Sequence, residues 1–454
     1  MFQFQLLKEF YNSGSTLNYD FRRKQLLALE NAIKKYEEEI NAALYADLKK
    51  CKEEAWATET GLLLAEIKYA AKNLHRWMKP KKVSTGLMTF PSSAKVYHDP
   101  LGVILIIAPW NYPLQLLLVP LVGAIAAGNC AVLKPSEVAP ETEKIIVKII
   151  GETFHENYIK VVTGDGAEIV PEMINSFRFD HIFYTGSTNV GREVYKLAAN
   201  RLVPVTLELG GKSPCIVEPD ADLEVAAKRI VFGKFINAGQ TCIAPDYILV
   251  HKSIKEKLLD SLSETVQKFY TSDPLSSYDY GKIINQKRFH TLISFLSEGK
   301  IFYGGKYNEA SLYIEPTILD NITLGDAIMK EEIFGPILPV LSFETIDEAI
   351  VIVQQNENTL AFYLFTKNKR TEDEWVRRVS FGGGCINNTV FHFANMNMPF
   401  GGIGNSGVGS YHGKKTFEIF SHAKPVLKTA TWLDLDLKYP TLQGKLGLMK
   451  KIIG

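Results

Sequence analysis

The chain has 454 residues, 46% apolar and 22% charged, which is long for one ordinary domain and ample for large buried cores. Its 51 basic and 50 acidic residues leave a formal charge of +1, a balance that speaks against nucleic acid as a main partner. Cys51, Cys130, Cys215, Cys242 and Cys385 are odd in number, scattered and without a CxxC pair. That pattern disfavours a metal site or disulfide framework and suits a reducing cytoplasm.

The opening "MFQFQLLKEF" carries charge early and lacks a cationic head before an apolar run, so no secretory signal is expected. The N-terminal part reads as helices, with "RRKQLLALENAIKKYEEEINAALYADLKK" apolar at helical spacing and charged on one face. Residues 79–100, rich in Pro, Ser and Lys, read as a hairpin or arm standing off the domain. Between Leu101 and Ala127 the only clearly polar side chains are Asn111, Tyr112 and Gln115. Pro109, Pro113 and Pro120 break this run, so a membrane span is the poorer reading. The better parse is a strand "GVILIIAP", a loop, a helix from about Leu114 to Ala127, a stop at Gly128 and a strand "CAVLKP". "EKIIVKIIGETF" follows as a helix, "YIKVVTG" and "DHIFYTGS" as strands, "NVGREVYKLAANR" as a helix and "VPVTLELGG" as a strand. A second α/β stretch starts at "PCIVEP". The expected class is α/β, doubly wound, in two lobes.

Several side chains stand where chemistry would need them. Cys242, in "GQTCIAPDY", has small and polar neighbours where a packing cysteine would be embedded in Leu, Ile and Val. "FYTGSTNVGR" sets Gly186 and Ser187 between a strand and a helix, where backbone N–H groups can hold phosphate. The GxxxxG spacing to Gly191 lacks the usual GxGxxG fingerprint, so a plain turn explains it about as well. Lys134 and Glu137 in "VLKPSE" lie past a strand's carboxyl end, where ligands of open α/β sheets collect; an exposed loop lysine is the plainer reading. Glu208 in "LELGGKSP" is either a carboxylate in apolar surroundings, suited to general-base work, or a strand-end charge facing water. Asn111 offers an amide in an apolar loop, although such asparagines often bond their own turn. Glu331 and Glu332 precede the turn in "KEEIFGP".

In order, "PWNYP", "AAGNCAVLKPSE", "FYTGSTNVGR", "VTLELGGKSP", "GQTCIAPDY", "EEIFGP" and "MPFGGIGNSGVG" resemble the aldehyde dehydrogenase superfamily, from roughly Asp20 to Ala423. "GQTCIAPDY" and "GSYHGKKTFEIFSH" are similar to the class 3 branch. The resemblance implies a Rossmann-like cofactor domain (1–78 and 99–209, rejoined by 399–423) and an α/β catalytic domain (210–398). It also implies a β oligomerisation arm with a C-terminal tail (79–98 and 424–454) and a homodimer in which the arm and the strand near "KPVLKTATW" extend the partner's sheet. No membrane span is implied.

By resemblance Cys242 is the nucleophile; a free thiol near its ordinary pKa is only a few per cent thiolate at neutral pH, so some local lowering would help. Asn111 and the Cys242 backbone N–H bind the oxyanion, and Glu208 activates the hydrolytic water. The cofactor is NAD, with NADP possible. Lys134, Glu137, Gly186, Ser187, Gly191, Glu332, Phe334 and Trp110 are expected around it, Glu137 disfavouring a 2′-phosphate. Tyr112, Phe391 and His392 are expected to line a substrate tunnel for medium-chain aliphatic or aromatic aldehydes. No metal is expected. The alternatives are a CoA-acylating or semialdehyde-specific relative, a non-catalytic structural relative and a cofactor-free cysteine hydrolase. The basic end "GKLGLMKKIIG" reads as a solvated or partner-packed tail, with membrane-surface contact the lesser alternative.

Overall fold

The fold is seen in a computed structural model that describes residues 2–356, 359–434, 439–440 and 442–453. Parts of the expected tail segment, 435–438, 441 and Gly454, lie outside the described residues.

Two parallel sheets carry the molecule. The first has six strands in the order Gly407–Val408, Val205–Glu208, His181–Thr185, Val103–Ile107, Cys130–Lys134 and Ile159–Val161. All are parallel except the short Gly407–Val408 edge, which runs antiparallel to Val205–Glu208. The second has seven, ordered Lys300–Tyr303, Thr317–Asp320, Ile337–Phe343, Tyr247–His251, Pro214–Val217, Ala361–Phe365 and Gly383–Ile386. Only Lys300–Tyr303 is antiparallel there. The central strands are buried along their whole length, apart from half-buried His251 at the end of Tyr247–His251, as expected where helices cover both faces of a sheet.

The apolar stretch after Leu101 forms the predicted βαβ unit. Its helix, Gln115–Ala127, is buried at every residue and ends at Gly128 in the left-handed region. This explains why it resembles a membrane span: a helix enclosed on all sides has no polar face to show. Each fully buried leucine, such as Leu117 or Leu121, contributes roughly 1.5–3 kcal/mol. Among the described residues no helix is long and apolar enough to cross a membrane.

Two local results differ from or extend the sequence reading. A helix at Gly166–Ser176, capped by the Asp165 side chain, was not anticipated; Pro171 within it masks the pattern. The strand expected near "KPVLKTATW" is Ser421–Thr429, and it pairs antiparallel with Ser92–Pro100 of the same chain over nine residues. With Lys81–Val83 these strands make a separate three-stranded arm.

Candidate active site

The two parallel sheets turn their strand ends towards one cavity that reaches Cys242 and Glu208. Glu208 closes the strand Val205–Glu208, while Cys242 follows the turn after the helix Leu223–Phe235. The rest of the lining is almost wholly apolar, including Leu116, Ile243, Phe393, Phe400 and Tyr411, and contains no lysine or arginine among the described residues.

The sequence motifs knit together around Cys242. Asn237 and Ala238 are both left-handed, followed by Gly239 at φ 74. A Cβ on Gly239 would lie 2.3 Å from the carbonyl oxygen of Gly335 in "EEIFGP", so only glycine fits. Gln240 is fully buried and donates from Nε2 to the carbonyls of Asn237 and Lys282, both at 3.0 Å, while its Oε1 accepts from Ile284 N–H. The Lys212 ammonium of "LELGGKSP" donates to Asp246 Oδ2 at 2.5 Å and to the carbonyls of Ile328 and Glu331. Asp246 Oδ1 in turn accepts from Ile333 N–H at 2.9 Å. Three distant motifs are therefore one hydrogen-bonded frame.

The structure supplies no lowering of the Cys242 pKa in the free enzyme. Burial pushes the Cys242 thiol well above its ordinary value, and the nearby Glu332 and Glu208 carboxylates push in the same direction. Backbone N–H groups of Cys242 and Ile243 oppose this only partly. Among the described residues no cation is one of the groups acting on this thiol. Glu208 is likewise raised by burial, and neither carboxylate oxygen has a hydrogen-bond partner. Glu332 is raised to about 8, first by burial and then by Asp246, against a Gly211 N–H, Arg288 and Lys212. Its Oε1 has no partner. A Cβ on Gly210 would collide with Glu332 Oε2 at 2.0 Å, so the first glycine of the "GG" pair makes room for that carboxylate.

Asn111 donates from Nδ2 to Gln240 O at 3.0 Å, keeping its second amide hydrogen uncommitted. Tyr112 lines the cavity, its hydroxyl 2.5 Å from Thr241 Oγ1. Phe391 lies at the mouth, 54% exposed, stacked on Phe232 with centroids 5.8 Å apart. His392 is not among the lining side chains. It stacks on Phe400, with Nδ1 3.6 Å from Cys385 Sγ, and burial lowers its pKa to about 4. The neighbouring Phe393 takes the wall position, because the short helical turn Phe391–Ala394 carries His392 to the other side. Thr58, Leu62, Thr185, Phe400 and Tyr411 also line the cavity; Phe400 and Tyr411 sit in motifs that were recognised without assigning them a contact.

Elsewhere Lys134, 2% exposed, donates to Glu137 Oε2 at 2.8 Å and to the Pro135 carbonyl. Burial tends to raise Glu137, but the Lys134 bond and backbone N–H groups, including Gly166, outweigh it and hold the carboxyl below its usual value. Ser187 caps the helix Thr188–Ala199 by accepting from Val190 N–H. Gly186 and Gly191 are both required by packing: added Cβ atoms would meet Tyr184 Oη at 2.3 Å and Leu209 Cδ2 at 2.5 Å. Trp110 and Phe334 meet edge to face at 5.4 Å, with Phe334 at φ 46. A lysine–carboxylate pair at a strand end, a capped helix start and a partnerless buried carboxylate form a donor set that fits a dinucleotide's diols and diphosphate. No cluster of metal-binding side chains occurs among the described residues.

Cys242 and Glu208 thus share one cavity between two parallel sheets, an α/β enzyme-like architecture. The chain belongs to the aldehyde dehydrogenase family, whose profile matches residues 8–426, and it is an aldehyde dehydrogenase that works with a nicotinamide dinucleotide. It is 49% identical to the 4,4'-diaponeurosporen-aldehyde dehydrogenase of Staphylococcus aureus, over 98% of this chain and 96% of that protein. The family 3 member B1 aldehyde dehydrogenase of Rattus norvegicus is 42% identical over 96% of this chain and 93% of its own length, which marks the class 3 character. Among solved structures, a substrate-bound Staphylococcus aureus AldH superposes with a TM-score of 0.97 at 48% identity, covering 99% of this chain and 98% of that one.

Proposed function

We propose that the enzyme oxidises medium-chain aliphatic or aromatic aldehydes to acids, with Cys242 as nucleophile, Asn111 as oxyanion donor and Glu208 as general base. The observation that carries this reading is the largely apolar cavity whose lining includes both Cys242 and Glu208. An aldehyde bearing a carboxylate would find no cation on those walls, which argues against a semialdehyde. The name of the Staphylococcus aureus relative, a diaponeurosporen-aldehyde dehydrogenase, also supports an apolar aldehyde.

Burial raises the Cys242 thiol above its ordinary pKa in the free enzyme, which favours the protonated form. When bound, the oxidised nicotinamide supplies a positive charge that favours the thiolate and the acceptor for the hydride. The thiolate adds to the aldehyde carbon to give a thiohemiacetal, whose oxyanion is met by the spare Asn111 N–H and the Cys242 backbone N–H. Losing one such donor typically costs on the order of 3 kcal/mol of transition-state stabilisation. Once the adduct is a thioester on Cys242, Glu208 takes a proton from the attacking water, the acid leaves and the thiol is restored. Glu208 distinguishes this cycle from CoA acylation, which needs no water-activating base.

Around the cofactor we assign Lys134 to the adenosine ribose, Ser187 and Gly186 to the diphosphate, and Glu332 to the nicotinamide ribose. Trp110 and Phe334 form the adjoining wall. The Glu137 carboxylate, held ionised, disfavours a 2′-phosphate and so favours NAD over NADP. Gly191 acts through packing of the helix Thr188–Ala199. We infer the domain division stated above, since Gly407–Val408 rejoins the six-stranded sheet. We further infer a homodimer built on the arm, where Leu87, Met88 and Phe90 are exposed, and a cytoplasmic setting, consistent with five free thiols.

The test follows reduced nicotinamide by absorbance with hexanal, decanal, benzaldehyde and succinic semialdehyde, each with NAD and NADP, beside Cys242→Ala. Turnover should vanish in the variant while NAD binding persists. Decanal and benzaldehyde should exceed succinic semialdehyde in kcat/KM by about tenfold or more. A preference for succinic semialdehyde would sink the substrate assignment.

A further inference from the structure

The side chain expected to bind the oxyanion is held by its own main-chain carbonyl. Asn111 O accepts from Lys50 Nζ at 2.9 Å and from Asn237 Nδ2 at 2.9 Å. Lys50 is fully buried and paired at 2.6 Å with Glu59 Oε1, which is also fully buried. The other Glu59 oxygen accepts from Leu114 N–H at 3.0 Å and Gln115 N–H at 3.2 Å. The Lys50 ammonium also lies 4.0 Å from the centre of the Tyr112 ring. One ion pair thus grips residues 111–115 from the carbonyl at one end and the helix start at the other.

The placement of Glu59 adds meaning. Trp56–Thr60 is a π-helical turn, a departure that costs regular hydrogen bonding and recurs at functional sites. Ala57 and Thr58 on this turn line the substrate cavity, while Glu59, next in sequence, faces Lys50 and the helix start. Two charges taken wholly out of water are a poor way to gain stability compared with apolar packing. What the pair does provide is direction. Two hydrogen bonds to the Asn111 carbonyl fix that peptide plane, and with it the bearing of the side-chain amide, whose Nδ2 is also tied to Gln240 O just ahead of Cys242. Asn237 completes the set by donating to Gln240 O as well, at 3.1 Å.

We propose that Lys50 and Glu59 are positioning residues for the oxyanion donor: their buried ion pair, through the Asn111 carbonyl, aims the Asn111 amide at the carbonyl oxygen of the aldehyde bound at Cys242. This rests on Asn111 being the oxyanion donor. Neither residue touches substrate or cofactor; both act through Asn111.

A double-mutant cycle in the full-length enzyme tests it, read by kcat, KM for decanal and for NAD, and thermal midpoint. Asn111→Ala should lower kcat by about 100-fold. Lys50→Met/Glu59→Gln, which removes both charges and leaves none buried alone, should lower kcat by about 10-fold with KM for NAD unchanged. Combined with Asn111→Ala, the pair substitution should add less than about 3-fold, since its effect passes through the amide already lost. A full multiplication of the two losses, or normal kcat in the pair variant, would overturn the proposal. Asn237→Gly removes the second donor to the same carbonyl and leaves the ion pair whole; its loss of kcat should also disappear in the Asn111→Ala background. If the pair variant does not fold, additivity of Asn237→Gly with Asn111→Ala overturns the proposal, and non-additivity supports it. Normal kcat in Asn111→Ala alone would instead remove the oxyanion reading beneath it.

Discussion

Cys242 stands between two unlike halves of the site, each with a buried glutamate. On the aldehyde side, Glu208 sits among apolar walls with neither oxygen bonded. On the proposed dinucleotide side, Glu332 has a Gly211 N–H and feels Asp246, Arg288 and Lys212, while Lys134 and Glu137 pair nearby in that half. Both glutamates are raised by burial, but only the second is set within a charged frame. A lone carboxylate in an apolar pocket is a base available to react; a framed one is a fixed contact point.

The comparison breaks most sharply at Glu208. Glu208→Gln should lower steady-state turnover by about 10²–10⁴-fold, while the first half-reaction survives. Intact-protein mass spectrometry after mixing with aldehyde and NAD should then show an acyl adduct on Cys242. A variant that turns over normally, or loses activity without the adduct, would remove Glu208 from the deacylation step.

On the other side the effect should be on binding. Lys134→Met should raise KM for NAD by about 10-fold and leave kcat within about 2-fold, the signature of an interaction made equally in ground and transition states. A fall in kcat with unchanged KM would mean that Lys134 serves the reaction rather than the cofactor.

The smallest effect links the halves. Glu332 becomes charged as pH rises through about 8, and its charge raises the Cys242 thiol. Glu332→Gln should therefore speed alkylation of Cys242 in the free enzyme by about 3-fold near pH 9 and leave it unchanged near pH 6, where the native carboxyl is already neutral. Equal rates at the higher pH would show that the carboxylate does not act on the thiol.

Much of this site was legible in the chain. Cys242 among small and polar residues is a local signal, whereas Glu208 and Lys134 each had a plain alternative and were singled out by the resemblance of their motifs. The pKa of Cys242 was not legible, since it depends on which charges the fold brings near. The fold brings Glu208 and Glu332 near the thiol, and among the described residues no cation acts on the thiol itself. His392 illustrates the same limit: on a short helical turn, one residue's difference decides whether a ring faces the cavity or the core behind it.

The order of motifs, the buried βαβ unit and the helical N-terminal region were determined by the sequence alone, because hydrophobic period and turn chemistry act over a few neighbours. Only the tertiary structure decided what those N-terminal helices are for. Nothing in the sequence singles out Lys50, beside Lys49, or Glu59 within the helical N-terminal region. Folding brings them together out of water and onto a carbonyl 61 residues further along the chain. Burial is a property of the whole assembly, so no local pattern announces it.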